Sequence, residues 1–204
     1  MAVIQFPLKL KKVSTAHDPD QLSLFLVVSQ DAYGKAEYCD SQGDYEEARK
    51  FYLEAIDEGI NVADAYCNLG WIEYLEGRIA EALDCFTAAL YQNPGHLQSH
   101  YNLAALYYEQ HDCWAASIHF AYAGYKEPRQ FPRAFYFLGH CEREIGFTER
   151  DANRFDAAIE AYKKFMELRP SDAVEVPVWI EQLCEAREKF LKNGRPITSP
   201  AKGR

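Results

Sequence analysis

Apolar positions between residues 63 and 130 recur three and four apart, and the whole pattern then repeats as a block. From Asn68 to Pro94 the chain reads NLGWIEYLEGRIAEALDCFTAALYQNP, and from Asn102 to Pro128 it reads NLAALYYEQHDCWAASIHFAYAGYKEP. Asn68, Leu69, Ala82, Phe86, Ala89 and Pro94 return as Asn102, Leu103, Ala116, Phe120, Ala123 and Pro128, each 34 positions later. The spacing predicts two amphipathic helices per block. The small residues Gly70 and Ala82 are expected to let the two helices approach closely, with Phe86 filling the space between neighbouring hairpins. Pro94 and Pro128 stand where a helix has ended, because proline cannot continue it.

The pattern extends in both directions. Gly43, Tyr45, Ala48, Tyr52 and Ala55 fit the second half of an earlier block, whose first helix, with Ala32, Lys35 and Ala36, matches less well. Leu138 and Gly139 open a fourth block, which Ala158, Tyr162, Phe165 and Pro170 close. Gly139 to Ala158 is 19 positions where Gly70 to Ala82 is 12, so the fourth block carries seven extra residues within IGFTERDANRF. They are expected either to lengthen both helices by about one turn each or to protrude as a loop. The turn inside each block is predicted at Gly43, Gly77, His111 and Asn153, residue types that tolerate a left-handed backbone. Beyond Pro170, Trp179, Leu183, Ala186 and Phe190 share one helix face that ends at Lys192-Asn193-Gly194, with Pro196 following. At the other end, Ile4, Phe6, Leu8 and Leu10 alternate with Gln5, Pro7 and Lys9, a strand-like period limited by Pro7 to an edge or arm. Asp18-Pro19-Asp20-Gln21 reads as a helix start, and that helix is expected to run to about residue 41.

A 34-residue helix–turn–helix period is that of the tetratricopeptide repeat. The chain resembles this family from about Ser29 to Asp172: Tyr66, Leu69, Gly70, Ala82, Phe86, Ala89 and Pro94 fit its pattern, and His100, Leu103, Ala104, Ala116, Phe120, Ala123 and Pro128 fit it again. The resemblance implies an all-α right-handed superhelix, an α-solenoid of about four repeats with a C-terminal capping helix. The expected organisation is an arm (1–18), four repeats (29–62, 63–96, 97–130 and 132–172) within 19–172, a cap (173–193) and a basic tail (194–204).

In this family the first helices of successive repeats line a concave groove that holds a peptide or helix of a partner protein. Carried over position by position, that groove comprises Tyr33, Asn68, Trp71, Tyr74, Tyr101, Asn102, Tyr108, Tyr136 and His140. Tyr and Trp offer broad apolar faces with a polar handle, and paired Asn amides suit a peptide backbone. The competing reading is that these rings pack between repeats. One subtype of the family clamps a C-terminal carboxylate with Lys, Arg and Asn. This chain keeps Asn68 but has Tyr33, Glu37, Gln98 and Asn102 at the other clamp positions, which argues against that ligand. Lys126-Glu127-Pro128-Arg129 followed by Phe131-Pro132 resembles, more weakly, a segment of the cytoplasmic chaperones of type III secretion translocators. That likeness implies a chaperone of a hydrophobic secreted client as an alternative, alongside a self-assembling scaffold.

Charge and composition narrow the partner. The net charge is −9, and from Ser29 to Pro128 there are 17 Asp/Glu against 5 Lys/Arg. Such a body disfavours nucleic acid, whose binding rests on basic residues neutralising phosphate, and favours a protein partner of basic character. No apolar run approaches the roughly 20 residues of a membrane span. Cys39, Cys67, Cys85, Cys113, Cys141 and Cys184 form no CxxC pair, which points to a reduced, cytoplasmic chain using Cys as a small apolar residue. No Gly-rich phosphate loop, HExxH or GxSxG occurs, so the expected function is non-catalytic, with no cofactor. His96 and His100, with Cys67 nearby in the stack, are the strongest metal candidates, and helix-face packing is their simpler explanation. His111 reads as a turn residue. Homo-oligomerisation is compatible with all of this.

Overall fold

The computed structural model describes residues 31–193. They form α1 (Ala32–Gln42), α2 (Tyr45–Asp57), α3 (Val62–Leu75), α4 (Ile79–Gln92), α5 (Leu97–Glu109), α6 (Cys113–Lys126), α7 (Pro132–Glu149), α8 (Ala152–Leu168), a 3-10 turn (Pro170–Asp172) and α9 (Val176–Asn193). No strand occurs among the described residues. The arm at 1–18 and the tail at 194–204 lie outside them. The chain divides into two compact units after Gln110, so the boundary falls inside the third sequence repeat.

The unit ending at Gln110 contains α1 to α5. Here α1 pairs with α2 and α3 with α4, while α2 packs on α3 and α4 on α5. Tight caps define the hairpins. Asp31 and Asp44 accept the backbone N–H of Gly34 and Glu47, satisfying donors that the first turn leaves without partners. At the helix ends Gly43 (φ 80°) and Gly77 (φ 77°) adopt the left-handed conformation, and the next residue bonds back to Cys39 and Glu73 respectively. The expected helix from about residue 21 to 41 does not run through: Asp31 is extended (ψ 160°) and starts a new helix at Ala32.

The close approach foreseen at Gly70 is present. A Cβ there would lie 2.9 Å from the Phe86 ring. Ala48, Tyr52 and Ala55 on α2, and Ala82, Phe86 and Ala89 on α4, are wholly buried. Removing a ring the size of Phe86 from water stabilises the fold by about 2–3 kcal/mol.

In the second unit α6 packs on α7, α7 on α8, and α8 on α9. The seven extra residues are helical. α7 continues to Glu149, ten residues past Gly139, whereas α3 ends five past Gly70; α8 starts six before Ala158, whereas α4 starts three before Ala82. The intervening turn is one residue shorter. Its left-handed residue is Arg150 (φ 56°) and not the expected Asn153, which lies in the first turn of α8 beneath the Asp151 cap. His111 (φ 62°) is left-handed as expected. The close approach recurs at Gly139, where a Cβ would stand 2.5 Å from the Tyr162 ring. Phe131 and Pro132, in the segment resembling the secretion chaperones, serve locally: Phe131 is buried and Pro132 opens α7.

α9 turns its expected face inward. Leu183 is buried, and Trp179 lies 5.8 Å from Tyr162, ring to ring. Phe190 lies 5.3 Å from Phe155 and 6.4 Å from Phe147.

Candidate functional site

In the first unit the three first helices, α1, α3 and α5, are tied together by side chains. Asn68 Nδ2 donates to Tyr33 Oη at 3.1 Å, joining α3 to α1. Tyr74 Oη donates to Glu109 Oε1 at 2.8 Å, joining α3 to α5. Asn102 Nδ2 lies 3.6 Å from Cys67 Sγ. Each pair is 35 positions apart, one 34-residue period plus one, so each bond joins neighbouring positions of successive repeats.

The candidate residues of this unit fall into two groups. Tyr33, Asn68, Trp71, Tyr74 and Tyr108 are half-buried. The Trp71 ring stacks on Tyr74 with centroids 5.7 Å apart. Tyr101 and Asn102 are buried. The Asn102 amide accepts from Gln98 Nε2 at 2.8 Å and points its nitrogen at Cys67, so it is engaged inside the unit.

The electrostatics of this face are acidic. α1, α3 and α5 expose Glu37, Asp64 and Glu109 against the single basic residue Lys35, while Asp40 and Glu73 of the same helices are buried. Lys35 stands over the Phe51 ring of α2 at 5.6 Å. The Tyr33 phenol is pushed well above its ordinary pKa by burial, then by the carboxylates of Glu37 and Asp64. The Tyr74 phenol is pushed up by burial and by Glu109. Both tyrosines therefore act only as neutral hydrogen-bonding rings.

His96 closes one end of this face. It precedes α5, with Nε2 3.0 Å from Asp64 Oδ1 and Nδ1 2.7 Å from Ser99 Oγ. Burial opposes its charge, but the hydrogen bond to Asp64 and the neighbouring Cys67 push its pKa up to about 9. The same hydrogen bond holds the Asp64 carboxyl below its usual range. The charged ring donates to Asp64 and to the Ser99 hydroxyl. The neutral ring with its hydrogen on Nε2 accepts the Ser99 N–H at Nδ1, 3.2 Å away, as a helix cap. His100 Nε2 lies 3.0 Å from the Pro94 carbonyl oxygen. Among the described residues no group of three or more His, Cys, Asp or Glu is placed to hold a metal ion.

The other two candidates belong to the second unit. The Tyr136 ring lies 5.8 Å and the His140 ring 5.1 Å from Trp179 of α9. Tyr136 also contacts Phe165, and His140 contacts Tyr162. Burial, and then Arg143, lowers the His140 pKa to about 4, so this imidazole is neutral near pH 7. These two side chains form part of an aromatic cluster between α7, α8 and α9.

Two buried carboxylates were not foreseen. Glu73, three residues after Gly70, bonds Arg49 Nε at 2.9 Å and also Arg78. Glu142, three residues after Gly139, bonds Arg154 Nη1 at 2.9 Å. Their signal was a lone acid on an apolar helix face, at the same repeat position twice. They join helices and leave little surface for a ligand.

No helix among the described residues is long and apolar enough to cross a membrane. No curated protein matches the chain at the level of sequence. Among solved structures, a crystal structure of MamA aligns at a TM-score of 0.56 and 17% identity, over 85% of this chain and 91% of that one. MamA AMB-1 aligns at 0.61 and 18%, over 79% and 91%. MamA 41-end from Desulfovibrio magneticus RS-1 aligns at 0.57 and 20%, over 88% and 98%. At that identity the likeness concerns the fold. Family profiles described as tetratricopeptide repeat match residues 63–96 and, separately, 32–58 and 132–172. With half the chain matched, with helices paired consecutively and a glycine–ring approach at both Gly70 and Gly139, this chain belongs to the tetratricopeptide repeat family and has its all-α fold.

Proposed function

We propose that the chain is a non-catalytic protein-binding module, and that its ligand is a basic, apolar peptide segment held on the first-helix face of α1, α3 and α5. The family supports protein binding in general. The observation that carries the finer reading is the coincidence of half-buried rings with carboxylates on one face: Tyr33, Trp71 and Tyr74 beside Glu37, Asp64 and Glu109. Rings of this kind anchor a partner's apolar side chains, and acidic neighbours select Lys or Arg between them. Asn68 and Tyr108 complete the proposed face. Tyr101 and Asn102 are buried within the first unit and Tyr136 and His140 belong to the second, and none of the four is proposed to touch the ligand.

The test is affinity capture from native lysate with wild-type and Trp71→Ala chains side by side, followed by measured affinity for whatever partner is retained. A folded Trp71→Ala chain is expected to lose the partner at least ~10-fold, the scale of an aromatic hot spot. Unchanged affinity overturns the assignment. A hydrophobic client that aggregates without this chain would instead favour the chaperone reading.

A further inference from the structure

The proposed face has an unusual specification, and the chain itself contains a segment that meets it. The face offers an apolar floor with an acidic surround. Its complement is a short stretch with apolar side chains at alternate positions, lysines between or after them, and no acid.

Residues 1–13 read MAVIQFPLKLKKV. Ile4, Phe6, Leu8 and Leu10 alternate, Lys9, Lys11 and Lys12 supply three positive charges, and the first acidic residue is Asp18. The match in charge is opposite and local: three lysines with no acid, against the exposed carboxylates Glu37, Asp64 and Glu109 and one Lys on α1, α3 and α5. Pro7 has no N–H to leave unpaired in an apolar site. Reach is sufficient. Residues 13–30 join this segment to Asp31, and 18 residues can span up to about 60 Å. Three helices side by side at about 10 Å spacing extend only ~20–30 Å.

Resting on the binding face proposed above, we propose that residues 4–12 of the chain occupy that face in the same molecule and compete with an external partner. A tether of this length gives an effective concentration in the millimolar range, far above the concentration of second copies in ordinary solution. The face is then self-covered at rest. A partner must displace the segment, so its apparent affinity is reduced by the fraction of chains that are covered.

The test uses the full chain and a labelled synthetic peptide of residues 1–14. Peptide anisotropy is measured with the wild-type chain and with a full-length Phe6→Asp/Leu8→Asp chain whose own segment no longer suits the face. The altered chain is expected to bind the peptide at least ~10-fold more tightly than wild type, with binding that weakens as salt rises. Both chains should sediment at the mass of one copy at all concentrations. Equal binding by the two chains, or no binding by the altered one, overturns the inference. A concentration-dependent mass that disappears in the altered chain overturns it in favour of a second copy.

Two further variants of the altered chain separate this idea from the face assignment. Trp71→Ala and the gentler Glu37→Gln/Glu109→Gln should each lower peptide affinity several-fold. If neither does, the peptide binds elsewhere, and the inference falls. An external partner that depends on Trp71 while the peptide does not bind leaves the proposed function standing and removes only this one.

Discussion

Gly139→Ala adds one methyl group at the tightest helix–helix approach for which the structure gives a distance. The added carbon would stand 2.5 Å and 2.6 Å from two atoms of the Tyr162 ring, and ordinary contact begins near 3.4 Å. The ring cannot swing aside, because Tyr162 is wholly buried with His140 and Trp179 against it. The strain is met by separating α7 from α8 by about 0.9 Å, which loosens close-packed contacts along both helices. Overpacking of this kind costs about 1–3 kcal/mol, and the severity of the clash puts Gly139 at the upper end. Replacing a helical glycine by alanine returns about 1 kcal/mol. The net expectation is a loss of about 1–2 kcal/mol, or about 2–8 °C in Tm at 2–4 °C per kcal/mol. Gly124→Ala, in the same unit, is the internal control. Its new carbon would meet Ala134 Cβ at 3.2 Å and Phe135 at 3.4 Å, so propensity should offset the crowding to within about 0.5 kcal/mol. Urea titration followed by far-ultraviolet circular dichroism and by tryptophan emission measures both variants. If Gly139→Ala is as stable as wild type, or costs less than Gly124→Ala, the close-approach argument is wrong.

Glu73→Ala should destabilise the first unit by about 2–3 kcal/mol, since two guanidiniums lose a buried partner; chemical denaturation checks it, and Glu47→Ala on the exposed α2 surface should cost under ~0.5 kcal/mol. The two perturbed histidines give opposite pH dependences. His96 has a folded pKa raised to about 9, above an unfolded value near 6.5, so its contribution is complete below about pH 6.5 and is lost as pH rises through 9. His140 has a folded pKa lowered to about 4, so its contribution is complete above about pH 6.5 and is lost as pH falls through 4. His96→Gln should flatten the alkaline limb of a stability–pH curve and His140→Gln the acid limb. Exchanged effects would refute both assignments.

The hairpins, their close approaches and their buried second-helix faces were legible because a repeat exposes each structural requirement more than once. Gly70 and Gly139 could be matched to the same need, and so could Phe86 and Tyr162. What escaped is what the period does not carry. The fourth turn moved from Asn153 to Arg150 because the extra residues entered both helices, and capping by Asp151 then set the boundary. The break at Asp31 has no proline or glycine to announce it. It rests on one aspartate whose side chain accepts the N–H of Gly34, three residues on, and so fixes a helix start at Ala32. The groove positions fared differently from one another. Tyr33, Trp71, Tyr74, Tyr136 and His140 keep part of their surface whereas Tyr101 and Asn102 are buried, and the last two of the half-buried set also lie against Trp179, a residue beyond the last repeat that no repeat position could reveal. Glu73 and Glu142 were read as neither core nor site, since burial of a carboxylate depends on Arg49, Arg78 and Arg154 arriving from elsewhere in the chain.

The lengthened fourth hairpin bears on how such arrays can be cut and rejoined. Five added residues carry α7 about 7.5 Å past the point where α3 stops, and the overhang meets the start of α6. Glu149 accepts from Trp114 Nε1 at 3.2 Å, and the Arg154 guanidinium lies 4.2 Å from the indole centroid while reaching Glu142. Excising the seven residues would strip an indole of its cover, and grafting the hairpin behind a different neighbour would leave its arginine over empty water. The exchangeable module here is thus larger than one repeat: any chimera should take Trp114 and the hairpin from 132 to 168 from the same parent.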